Sequence, residues 1–153
     1  MLLVTVPPEM KTTSLCFVLL LCIVQVLSVE FPDELMDNAA HECLKEHNVD
    51  KEVLSKYLDD KFRMHDLDEM GNKLMKCTFE KRKYYSPDGG LNKEEIIKDL
   101  VKLLKFVVKK EGTDYEALAE KFYEKCDEVK DADQVEHMKK WNNCLVTEIE
   151  KIN

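Results

Sequence analysis

Cys126 and Cys144 are separated by seventeen residues that read as the end of one amphipathic helix, a polar turn and the start of another. Few features constrain a fold more, because a disulfide between them would clamp two helices into a hairpin. Leu118, Phe122, Cys126 and Val129 make the inward stripe of the first helix. Val135, Met138, Trp141, Leu145 and Ile149 make that of the second, beyond a turn at Lys130 to Asp133.

Whether such cysteines are oxidised depends on the compartment, and the N-terminus addresses that. After Lys11 comes an apolar run from Leu15 to Val24, then Gln25, Val26, Leu27 and the small Ser28. This is the pattern of a secretory signal peptide. Its apolar core is shorter than the roughly 20 residues of a spanning helix, no stop-transfer segment follows, and Val26 and Ser28 suit the positions before a peptidase cut. Residues 1–28 are therefore expected to be a signal peptide, with Met10 as an alternative initiator, and residues 29–153 a single secreted helical domain beginning near Val29 or Glu30.

Cleavage would remove Glu9 and Lys11 together, leaving the net charge at −8, and would leave four of the six cysteines: Cys43, Cys77, Cys126 and Cys144. An even number in an exported chain argues for two disulfides, although four cysteines permit three pairings that sequence does not rank. Hairpin proximity favours Cys126 with Cys144. On the chain-entropy view each closed loop contributes about 3 to 4 kcal/mol. The acidic balance argues against nucleic acid or an anionic membrane surface as partner, since both call for a basic patch. It suits solubility, and it is compatible with a cationic ligand.

Glycine and proline are scarce, strand-like alternation and internal repeats are missing, and everything after the signal reads as six helices with short connections. The first is expected to start after Phe31 and Pro32 and to run to about Glu46, carrying Leu35, Met36, Ala39 and Cys43. Asp50 is expected to cap a short helix with Val53, Leu54, Tyr57 and Leu58, and a third helix to run from near Asp66 to Tyr84 with Met70, Leu74 and Cys77 on one side. Gly71 interrupts it, weakening it or allowing a close approach. Ser86-Pro87-Asp88-Gly89-Gly90 is a turn. It is not an EF-hand loop, because either glycine in the sixth position would put a tyrosine in the first.

Asn92 with Glu95 forms a capping-box pattern for a helix through Lys110. Its wide apolar arc, Ile96/Ile97, Leu100/Val101, Leu103/Leu104 and Val107/Val108, makes it the candidate for the centre of the core, with Phe106 outside the arc. Gly112 is expected to end it, and Thr113 with Glu116 to open the next.

Chemistry is hard to find. No nucleophile with a base, no carboxylate pair and no metal cluster stands out, so no catalytic residue, metal site or cofactor is predicted. The His65-Asp66 dipeptide lacks the cysteines and calcium loop that would make it a phospholipase site. His41 and Cys43 point to different sides of a helix, and His47 and His137 lack a second ligand, which leaves all four histidines as solvated side chains. What remains is apolar volume. Met70, Leu74, Leu104, Val108, Phe122, Met138 and Trp141 are either ordinary core or the lining of a cavity for a small apolar ligand, and periodicity does not separate the two.

Taken together, the cysteine spacing and the 86–92 turn resemble the insect odorant-binding proteins, the pheromone and general odorant-binding family. Cys43, Cys77, Cys126 and Cys144 match the first, third, fourth and sixth of the family's six cysteines, while Lys73 and Val135 stand where the second and fifth, a bonded pair, would be. That is the pattern of the four-cysteine, minus-C subgroup. The resemblance covers residues 31 to about 150 and implies an all-α fold of six short helices around a hydrophobic cavity, stapled by Cys43–Cys77 and Cys126–Cys144. It implies non-covalent carriage of odorants, pheromones or related lipophiles through sensillar lymph, haemolymph or saliva, delivery to a membrane chemoreceptor, and a monomer or weak homodimer. Two alternatives stay open: a salivary-type scavenger of biogenic amines or lipid mediators on the same fold, and a cytokine-like helical signalling protein with a packed interior. Histidine-triggered release would need a histidine at a cavity mouth, and nothing in the sequence puts one there.

Overall fold

The structure is a computed structural model and describes residues 30–152; the predicted signal peptide lies outside them. Five α-helices are present among the described residues: α1 Asn38–Glu46, α2 Glu69–Arg82, α3 Lys93–Val107, α4 Tyr115–Cys126 and α5 Gln134–Glu150. A 3-10 helix at Lys51–Lys56 takes the place of the expected short second helix, and a single 3-10 turn at Asp33–Leu35 precedes α1. The all-helical, six-helix reading holds. No extended strand forms among the described residues, only the isolated bridges Leu58 to Met64 and Tyr85 to Leu91.

Four of the helix starts obey one local rule. Asp37, Asp68, Asp114 and Asp133 each sit in extended backbone and accept a hydrogen bond from a first-turn N–H, that of Ala40, Gly71, Ala117, and of both Val135 and Glu136. Each satisfies a backbone donor that would otherwise be orphaned. The expected first helix is therefore shorter: Met36 and Asp37 are extended, and the helix begins only at Asn38. The expected third helix begins at Glu69 rather than near Asp66, and Asp114 replaces Thr113 as the cap of α4. Asn92 does occupy the cap position of α3, but its side chain makes no capping bond and Glu95 pairs with Lys98 instead. The Asn92 N–H donates to the Tyr84 carbonyl (2.8 Å) and closes the preceding turn. α3 stops at Val107, short of Lys110, and the backbone then turns left-handed at Lys109 and Gly112.

The 86–90 turn forms as expected, with the Ser86 N–H on the Gly90 carbonyl (2.9 Å) and Gly89 at φ +84°. Gly71 is a point of close approach. A Cβ there would lie 2.9 Å from two ring atoms of Tyr57, so the ring packs directly on the α2 backbone.

Both disulfides form as the resemblance implied, Cys43 with Cys77 between α1 and α2, and Cys126 with Cys144 between α4 and α5. They anchor unequal cores. The larger joins α3, α4 and α5 through Ile96, Leu100, Leu104, Phe122, Cys126, Val135, Met138 and Trp141, with Leu104 fully buried as the wide arc of α3 predicted. The smaller gathers Cys43, Leu44, Tyr57 and Leu74 between α1, α2 and the 3-10 helix. Lys73 and Val135 have opposite surroundings: Lys73 is exposed and pairs with Glu69 (2.6 Å), whereas Val135 is buried in the larger core.

Candidate functional site

Between the two cores lies a cavity of about 450 Å³. Three helices give it a wall by the same geometry, a stripe at i, i+3, i+4 and i+7 that looks inward. On α2 the stripe is Gly71, Leu74, Met75, Thr78, Phe79 and Arg82; on α3 it is Ile96, Asp99, Leu100 and Leu103; on α5 it is Met138, Trp141, Asn142 and Leu145. Apart from Ala40 of α1, the fourth side is not α-helical. Phe31, Leu35, Met36 and Asp37 come from the strap that precedes α1, and Leu54, Tyr57, Leu58, Phe62 and Met64 from the 3-10 helix and the loop after it. α4 contributes nothing to the wall, because its buried side chains are spent on α3 and α5.

The wall carries one polar cluster, at the strap end. Arg82 donates from Nε and Nη2 to the two oxygens of Asp37 (2.8 and 2.9 Å) and from Nη1 to the Tyr84 hydroxyl (3.2 Å), which in turn donates to Asp99 (2.6 Å). Such a two-pronged guanidinium–carboxylate contact fixes direction as well as charge. Burial works to raise the Asp37 carboxyl, but the hydrogen bonds from Arg82 and from the Ala40 N–H outweigh it and hold it below the usual carboxylate range. Burial pushes the Tyr84 phenol well above its ordinary value, with the Asp99 carboxylate adding to the shift and Arg82 opposing it. The cluster is satisfied within itself, and its effect is to tie the strap to α2 and α3.

At the other end, Asn142 donates to the Phe62 carbonyl (2.8 Å), and Asn143 holds Met64 from both sides, accepting from its N–H (2.9 Å) and donating to its carbonyl (3.1 Å). The loop is thereby laced to α5. Trp141, whose indole Nε1–H is buried with no hydrogen-bond partner among the described residues, forms part of the floor.

The residues singled out from sequence divide cleanly. Leu74, Met138 and Trp141 stand in the cavity wall. Leu104 and Phe122 are packed inside the larger core, Val108 is half-buried against it, and Met70 is half-buried against the smaller core. Of the strap and loop residues, Leu35, Met36, Leu54, Tyr57 and Leu58 were expected on helix faces, whereas Phe31, Phe62 and Met64 lie on irregular backbone and gave no periodic signal. The α2 and α3 stripes did give one, but periodicity cannot say which buried face meets a neighbour and which meets a space.

The histidines also separate. His137 is buried rather than solvated, with Nε2 donating to the Val129 carbonyl (2.9 Å) and Nδ1 3.3 Å from the Tyr85 hydroxyl, so it pins the turn between α4 and α5. None of the four histidines stands in the cavity wall. No group of three potential metal-binding side chains converges among the described residues.

A disulfide-stapled helical shell around a largely apolar cavity, with its charged cluster of Asp37, Arg82 and Asp99 paired within itself, defines a class: a helical binding protein for small hydrophobic molecules. The sequence model of the PBP/GOBP family matches residues 29–148. The chain belongs to that family, the insect odorant-binding proteins, which are secreted, non-enzymatic and bind small hydrophobic ligands. No curated protein and no solved structure gives a match.

Proposed function

We propose that this protein is a soluble carrier of odorants, pheromones or related lipophiles, taking up one such molecule non-covalently in the central cavity and conveying it through an extracellular fluid such as sensillar lymph, haemolymph or saliva. The observation that carries this reading is the cavity itself, about 450 Å³ and walled by apolar stripes from three helices. That size falls within the range of small-molecule sites. Burying apolar ligand surface at about 25 cal/mol per Å² supplies the driving force, less the costs of association. Leu74, Met138 and Trp141 are proposed as ligand contacts together with Met36, Phe62 and Leu100.

Residues 1–28 act in this reading as a cleaved signal peptide, and residues 29–153 form the working chain. The framework of Cys43, Cys77, Cys126 and Cys144 supports assignment to the minus-C subgroup. Delivery is to a membrane chemoreceptor, by a monomer or weak homodimer.

Trp141 is the chain's single tryptophan and stands in the wall, so its fluorescence reports occupancy directly. Titration of micromolar protein with linear and cyclic odorants should shift Trp141 emission and displace a fluorescent apolar probe. If no apolar compound does either, the carrier reading is wrong. Calorimetry with biogenic amines separates the scavenger on the same fold, since a carrier of neutral odorants gives no heat there. Because no histidine stands in the wall, affinity is expected to be the same at pH 7 and pH 5.

A further inference from the structure

The cavity has a neighbour. A second pocket of about 180 Å³ lies beside it, lined by Phe31, Pro32, Leu58, Asp60, Phe62 and Phe106 among others, and it shares Phe31, Leu58 and Phe62 with the main chamber. The wall between the two spaces is therefore a few side chains thick. At its centre is Phe62, whose ring meets Phe31 edge-on at 6.1 Å on one side and Phe106 edge-on at 6.1 Å on the other. Three separate elements, the strap, the loop and the end of α3, come together at these rings.

Phe62 is also conformationally unusual. Its φ is +66°, in the left-handed region that a bulky side chain rarely adopts. Strain of that kind persists only where the surroundings over-determine it, and here they do: the Phe62 N–H donates to the Asp59 carbonyl (3.0 Å) and its carbonyl accepts from Asn142 (2.8 Å). The backbone is held while the ring is restrained only by edge-to-face contacts. A rotamer change of one side chain would join the chambers without moving the loop.

We infer that Phe62 is the partition of a two-chamber ligand site, and that the chain is built for an elongated, flexible, non-anionic lipophile whose far end passes the Phe62 ring into the second pocket. This rests on the carrier reading and narrows its ligand class. A compact ligand fits the main chamber alone and gains nothing from the annex. The annex does not suit an anionic end. Asp59 and Asp60 line it, with no basic side chain to receive a carboxylate.

The test is a homologous series of linear alcohols, from octanol to hexadecanol, titrated into the mature chain and into two variants. Phe106 lines only the annex, so Phe106→Trp shrinks that space and leaves the main chamber as it is. The wild-type protein should gain affinity along the whole series, by up to about fourfold for each added methylene that is buried. Phe106→Trp should bind octanol within twofold of wild type and hexadecanol at least tenfold more weakly. Phe62→Gly places the residue best suited to a positive φ at the partition and removes the ring, so hexadecanol should associate and dissociate faster relative to octanol than it does in the wild type. A wild-type series that stops gaining at the same length as Phe106→Trp, or a Phe106→Trp loss that is equal for short and long chains, overturns the two-chamber site while leaving the carrier intact. Failure of every alcohol to bind overturns both.

Discussion

The half of the molecule closed by Cys126–Cys144 and the half closed by Cys43–Cys77 share a disulfide geometry and little else. In the first, α3, α4 and α5 interlock around a broad core in which Leu104, Val135 and Cys126 are all but sealed from solvent. In the second, a short helix, a 3-10 helix, an irregular strap and a loop cluster around four buried residues, with left-handed backbone at Asn48 and Phe62. The cavity opens along the inner face of the second half, against the flank of the first. The first half thus gives the cavity a closely packed wall, from α3 and α5, and the second half a wall with a smaller core behind it, which lets one side yield to a ligand without loosening the other.

The largest expected effect tests where stability resides. Leu104→Ala should lower unfolding free energy by about 3 to 5 kcal/mol in chemical denaturation, because it opens a void in a fully packed site. Leu74→Ala, already beside empty space, should cost nearer 2 kcal/mol. Equal losses would break the contrast between the halves. Next come the disulfides. Removing either pair by double Cys→Ala substitution should cost about 2 to 4 kcal/mol. The Cys43–Cys77 pair is worth slightly more, because it closes a separation of 34 residues against 18. Its loss should weaken ligand affinity the more, since both helices it joins touch the cavity, whereas Cys126–Cys144 joins α5, which does, to α4, which does not. An equal or greater loss of affinity after removal of Cys126–Cys144 would break the contrast.

A third substitution probes the interior of the softer half. Gly71→Ala would set a Cβ against a Tyr57 ring that is itself tethered, its hydroxyl donating to Asp68 (2.6 Å). A loss of about 1 to 3 kcal/mol is expected, despite the better helix propensity of alanine. A rise in Tm would show that the ring moves freely.

The smallest effect concerns the strap. The Asp37 carboxyl is held below its unfolded value, so it contributes stability above the ordinary aspartate range, and that contribution is lost as pH falls through about 4 and below. Asp37→Asn keeps a good helix cap and removes the charge. It should cost under about 1 kcal/mol at pH 7, flatten the acid limb of the stability curve and speed ligand release. An unchanged release rate would mean that the Arg82 tie does not govern the strap.

Much of this architecture was legible beforehand, and the residues show why. The stripe from Val135 to Ile149 and the arc of α3 repeat at helical spacing, so those elements and the faces they bury could be read directly. Aspartates ahead of apolar runs marked the true helix starts, and overlooking Asp37 made the first helix too long. His137 was read as solvated because one histidine on an amphipathic helix looks the same whether the next turn covers it or not. Three of the seven proposed ligand residues reached the cavity wall. Phe31, Phe62 and Met64 were invisible because irregular backbone has no period to detect.

By itself, then, the sequence determined the helical class, the pattern of buried faces, the 86–90 turn and a cysteine framework with two halves. These depend on local spacing and capping, which act over a few residues. The tertiary structure alone decided where the interior stays empty, which side chains meet across it, and that Phe62 is held in a left-handed backbone between two spaces. Those outcomes depend on how distant segments fail to fill volume together, a property that no single stretch of chain carries.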